Sequence, residues 1–114
     1  MVLSDLIELL KTICPTIMEQ GSLAPAAPYP ERFFTFWNPS TEDQKHYDNN
    51  PAGCTWTVEV NFYGRDPVDV FNTLEQARTA MKSAGWIISG KGYAVASDVN
   101  THTGRGFTGY YLEA

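Results

Sequence analysis

Apolar residues recur with two different periods along this chain, and the change of period marks its elements. Leu3, Ile7, Leu10 and Cys14 are spaced by four, three and four, with Leu6, Leu9 and Ile13 widening the stripe into one helical face. Ser4 suits the N-cap, Asp5 suits the positive end of the helix dipole, and Pro15 disfavours helix at Cys14. The pattern predicts a helix over about residues 4–14. From Thr55 to Tyr63 the period is two: Trp56, Val58, Val60 and Phe62 alternate with Thr55, Thr57, Glu59 and Asn61, which predicts a strand with one buried and one wetter face. Val70, Leu74, Ala77, Met81 and Ala84 return to helical spacing. Asp66 is placed to cap this second helix, Pro67 fits its first position, Asp69 lies in its first turn, and Gly85 suits a left-handed C-terminal cap.

The remaining segments are read from local chemistry. Residues 15–51 hold six of the seven prolines, and Ala24–Pro30 reads as an extended connector because it cannot supply a regular ladder of amide donors. Ile17–Gln20 reads as a short strand, and the aromatic run Phe33–Trp37 as another. Asn38–Pro51 reads as a polar loop with a helical turn after Ser40, and Asp48-Asn49-Asn50-Pro51 is turn chemistry. Trp86–Ile88 and Gly92–Ala96 read as short strands, Thr101–Gly106 as a turn-rich approach, and Phe107–Glu113 as the last strand. Together these predict an α+β fold in one domain spanning residues 1–114: a small sheet, antiparallel or mixed, with two helices packed on one face.

Composition narrows the function. The chain has 114 residues, 43% of them hydrophobic and 18% charged, which is ordinary usage for a packed core. Its formal charge is −5, and its eight basic residues are scattered without a run. That argues against specific nucleic-acid binding and against binding to membrane surfaces. No stretch approaches the ~20 apolar residues of a membrane span. Cys14 and Cys54 stand forty positions apart. With no signal-peptide pattern at the N-terminus, both are expected to be reduced, buried thiols.

Catalytic and cofactor chemistry finds little to work with. His46 and His102 have no cysteine or carboxylate at metal-ligand spacing, and both are expected in solvent-facing loops. Gly90-Lys91-Gly92-Tyr93 lacks the spacing and the Lys-Ser/Thr ending of a phosphate loop and reads as a turn between strands. Glu42-Asp43 reads as a solvated loop pair without calcium-loop spacing. Phe33, Phe34, Phe36, Trp37, Trp56 and Phe62, without flanking Arg or Lys, read as core or interface rather than a base-stacking platform. No catalytic residue, metal or cofactor is expected, and the reading is of a protein that binds or assembles.

Three segments carry a resemblance. Tyr29-Pro-Glu-Arg-Phe-Phe-Thr-Phe-Trp-Asn38, Tyr47-Asp-Asn-Asn-Pro51 before the Trp56 strand, and Ser97-Asp-Val-Asn-Thr-His-Thr-Gly-Arg-Gly106 before the final strand flank the Asp66–Ala84 helix in an order that resembles the tail terminators of long-tailed bacteriophages and prophages. These are also called tail completion or head-to-tail joining proteins. The resemblance implies a non-enzymatic virion protein, assembled in the bacterial cytoplasm. It would form a ring, six-fold like the tail, on the end of the tail tube, stop tube growth and meet the head connector. Its implied partners are further copies of itself, the tail tube protein and the connector protein. The resemblance also puts candidate assembly contacts in the loops Asn38–Pro51 and Ser97–Gly106, at Tyr47, Asp48, His102 and Arg105. A plainer reading of the same residues has Asp48 holding a turn and Arg105 capping a strand edge. Three other functions compete: a head-side stopper, a host module binding a small ligand or peptide, and a hydrolase built on a Cys–His pair brought together by folding.

Overall fold

The computed structural model describes residues 2–19, 31–43, 46–47, 50–51, 54–88, 90–95 and 101–113. Helix α1 (Val2–Lys11) buries Val2, Leu6 and Leu10. It starts before Ser4, which therefore lies inside the first turn rather than capping it. Backbone turns from Thr12 to Leu9 and from Cys14 to Leu10 end the helix ahead of Pro15. Strand β1 (Ile17–Glu19) follows and pairs in parallel with β2 (Phe33–Asp43).

The run Asn38–Asp43 corrects the expectation of a loop. β2 passes through an irregularity between Trp37 and Ser40, at Pro39, and then resumes pairing, with Ser40 opposite Thr57 and Asp43 opposite Cys54. A proline is tolerated in a strand where the ladder is already broken, and pairing with a long neighbour overrides weak local propensity. Glu42 and Asp43 thus belong to a strand. β3 (His46–Tyr47) and β4 (Asn50–Pro51) form a separate two-stranded ladder. The connector predicted at Ala24–Pro30 lies outside the described residues.

β5 (Cys54–Gly64) is the expected alternating strand, with Val58, Val60 and Phe62 fully buried. Helix α2 (Pro67–Ser83) begins as predicted: the Asp66 carboxylate accepts from the Val68 amide at 3.0 Å and Pro67 occupies the first turn. Val70, Leu74, Ala77 and Met81 are buried, while Ala84 is the exposed C-cap rather than part of the face. Gly85, at φ 103°, closes the helix. Its amide donates to the Lys82 carbonyl at 3.1 Å, and the Trp86 amide donates to the Met81 carbonyl at 3.0 Å. This pair of bonds is the Schellman arrangement, which needs a residue free to adopt positive φ.

β6 (Ile87–Ile88) and β7 (Tyr93–Val95) both pair with β8 (Thr103–Glu113), which is also the antiparallel neighbour of β5. Gly90 and Gly92 between them have positive φ, in keeping with a glycine-assisted turn. At Gly92 a Cβ would lie 2.6 Å from the Gly106 carbonyl oxygen, so the edge can approach β8 only without a side chain there. β8 starts four residues before the predicted strand. Its early glycines disguise it, because they remove the side chains on which a period is read.

The sheet order is β1-β2-β5-β8-β6, antiparallel except for β1 with β2, and both helices pack against it. The core between helices and sheet unites Leu6, Leu10 and Cys14 with Phe34, Val60, Phe62, Leu74, Met81 and Phe107. Among the described residues no helix is long and apolar enough to cross a membrane.

Candidate functional site: the helix-free face of the sheet

Strand register sorts every side chain of the sheet onto one of two faces. Phe34, Phe36, Val58, Val60, Phe62 and Phe107 point to the helices and are buried. The other face carries cross-strand rows over which neither described helix lies. Phe33, Tyr63, Gly104 and Val95 form one row, Thr35, Asn61, Gly106 and Tyr93 the next, then Trp37, Glu59 and Thr108. Thr57, Tyr110 and Ile87 follow, and Thr55 with Leu112 end the series.

The two ends of this face differ. At the β7 end the side chains shelter one another: Phe33 stacks on Tyr63 at 5.2 Å between ring centres and is buried. At the other end Trp37, Tyr110, Leu112 and Ile87 are 43–63% exposed. Tyr93, also exposed, brings its hydroxyl to 3.3 Å from Thr108 Oγ1. Among the described side chains of this face Glu59 is the only carboxylate and there is no Lys or Arg. Depletion of charge with enrichment in aromatics is the composition of an interface centre rather than of ordinary surface. Two buried oxygens in the second row, Thr35 Oγ1 and Asn61 Oδ1, have no hydrogen-bond partner among the described residues.

The residues singled out by sequence do not form one cluster. His102 is 8% exposed, not in solvent: its Nδ1 lies 3.0 Å from Thr101 Oγ1 and its ring lies 6.3 Å from that of Phe33. Close packing beside the Phe33–Tyr63 stack draws it under the helix-free face. Arg105 is not a loop residue or a strand-edge cap. It sits inside β8 opposite Phe62, on the helix side, with its guanidinium carbon 5.1 Å from the centre of the Phe71 ring. Its Nε is buried without a hydrogen-bond partner among the described residues. The sheet therefore separates His102 from Arg105. Tyr47 pairs with Asn50 in the β3–β4 ladder, and Asp48 lies outside the described residues.

The Cys–His reading loses two of its pairs on geometry. Cys14 lies in the helix-side core, with its Sγ 3.9 Å and 3.7 Å from the Thr16 and Arg32 carbonyl oxygens, whereas His102 lies under the opposite face. Cys54 pairs with Glu113, ten positions along β8 from Thr103, which follows His102; at about 3.3 Å per residue the separation is on the order of 30 Å. The same strand arithmetic keeps Cys54 far from Cys14, which lies near the Phe34–Phe62 end, so they cannot form a disulfide. Cys14 is buried as expected, whereas Cys54 is only partly buried. No group of three or more His, Cys, Asp or Glu side chains is placed to hold a metal ion among the described residues.

Sequence reasoning missed Ile87, Tyr110 and Leu112. The available signal was the near-continuous apolar run Phe107–Leu112, in which both faces of the strand are apolar although helices cover only one. No known protein-family model matches the chain, and no match is found among curated proteins.

Proposed function

We propose that this protein is a structural component of a long-tailed phage or prophage, the terminator that rings the end of the tail tube, halts its growth and joins the tail to the head connector. The observation that carries the reading is the helix-free face, which exposes Trp37, Tyr110, Leu112 and Ile87 and holds one carboxylate among its described side chains. The three eleven-residue strands β2, β5 and β8 give a face of about 15 Å by 35 Å, widened at its edges by the short β1, β6 and β7, which approaches the ~800 Å² that each partner contributes to a stable complex. A surface of that size and composition suits repeated protein contacts. The three segments resembling tail terminators supply the identity of the assembly.

In this reading a heterologous contact repeats around the tube axis and closes as a six-fold ring, leaving separate surfaces for tube and connector. The work is done by binding, without a cofactor, in the tail of a virion assembled in the bacterial cytoplasm. Electron microscopy of particles made without the gene tests it: DNA-filled tailless heads and overlong free tails are expected, and normal joined tails would overturn it.

A further inference from the structure

A second feature lies on the helix side of the sheet. Two arginines rest on aromatic rings there, Arg32 just before β2 and Arg105 in β8 beside the edge strand β7, and they are treated differently. Arg32 lies 5.3 Å over the Phe62 ring and is matched by α2, with its Nη2 2.9 Å from Thr73 Oγ1 and its Nε 3.2 Å from an Asp69 oxygen. Arg105 is held over Phe71 of the same helix, yet it has no hydrogen bond or ion pair among the described residues, and its Nε is dry. A partly buried guanidinium left without an anion is costly, whereas one with a carboxylate gains strong, directional bonds.

Three surroundings indicate what would supply that anion. Arg105 is the cross-strand partner of Ala94 in β7, and no strand pairs with the outer edge of β7 among the described residues. A strand added there would lie two spacings, about 10 Å, from β8, with only the small Ala94 side chain in between on this face. Phe71 and Val68 of α2, 38% and 65% exposed, give the approach an apolar rim. In the β7 strand, the turn before it and the paired part of β8, the only charged residues among the described 90–95 and 103–107 are Lys91 and Arg105, in a chain with thirteen acidic and eight basic residues.

We propose that the outer edge of β7 receives an extended acidic segment of a partner protein, which adds as a strand and delivers a carboxylate to Arg105 beside Phe71. Backbone bonds to Tyr93–Val95 supply the pairing, and the carboxylate–guanidinium contact supplies the selection, as in other edge-strand recognition. This inference does not depend on the phage reading.

The test titrates the ¹⁵N-labelled full chain with the peptide acetyl-Thr-Glu-Val-Glu-Val-Thr-amide and with its counterpart bearing Gln for Glu. Saturable shifts are expected at the Tyr93–Val95 amides and at the Arg105 Nε–H. The Gln peptide should bind about tenfold more weakly, as expected for losing a charge-assisted bond. Arg105→Gln should erase that difference between the two peptides. Because the Gln peptide removes the charge without altering the protein, the result stands even if the variant folds poorly. Absence of saturable binding into the millimolar range, equal binding of the two peptides, or shifts confined to β1 or to the helix-free face would overturn the proposal.

Discussion

Asn61 and Gly106 face each other across β5 and β8, and the Asn61 side chain fills the space that a Cβ on Gly106 would need. The glycine is thus demanded by close approach rather than by a turn. The same holds at Gly104, where a Cβ would lie 2.6 Å from the Tyr63 ring and 2.8 Å from a Val95 methyl. The glycines of β8 let side chains of β5 and β7 lie flat across the strand and shelter the row containing Thr35 and Asn61.

Gly106→Ala is therefore expected to destabilise the fold by about 1–3 kcal/mol, the usual cost of overpacking a filled site. Combining it with Asn61→Ala should recover part of that loss, because the second change vacates the contested space. Urea unfolding of the two single variants and the double variant measures the coupling. Strict additivity would show that the two side chains do not compete.

Leu74 lies at the centre of the α2 face, 2% exposed, with Val70, Ala77 and Met81 around it. Leu74→Ala should cost about 2–5 kcal/mol through lost burial and the cavity left behind. An unfolding midpoint unchanged within error would show that this face does not hold the helix to the sheet.

These two sites also mark how far the sequence could be read. α2 was legible to its caps, because Asp66, Pro67, the Val70–Met81 spacing and Gly85 agree with one another at every level. β5 was legible for the same reason. The outer half of β2 and the first four residues of β8 were not. In β2 a polar run with a proline is recruited by pairing with Cys54–Thr57, and in β8 glycines replace the side chains that would show a period. The candidate site suffered in proportion. Turn chemistry in Thr101–Gly106 makes His102 and Arg105 look like neighbours in a loop, whereas strand alternation sends them to opposite faces. The exposed side chains Tyr110 and Leu112 become visible only once the register shows that neither described helix covers them.

Cys14 and Cys54 are held apart by the length of β5, so the folded chain should present two thiols. Titration with a thiol reagent in denaturant, without reductant, is expected to count two per chain. In the native state Cys14, which is 2% exposed, should react far more slowly than the partly buried Cys54. A count of zero would mean that the cysteines are oxidised, against the strand geometry that separates them.

The last prediction joins the helix-free face to tail length. A tube end with exposed subunit surface keeps adding subunits until another protein covers it, so a terminator that cannot assemble should act like one that is missing. Replacing Trp37, Tyr110 and Leu112 together by Ser removes side chains that are 43–60% exposed. Each change on such a surface is expected to alter folding stability only modestly, on the order of 0.5 kcal/mol, so the purified triple variant should still unfold cooperatively. In particles carrying it, micrographs should show filled heads without tails beside free tails longer than normal, the same picture as the deletion. The two strains together separate the claims. Overlong tails in the deletion with normal tails in the triple variant would keep the terminator role and remove the assembly function from this face. Normal joined tails in the deletion itself would remove the role, and the face would then need a different partner.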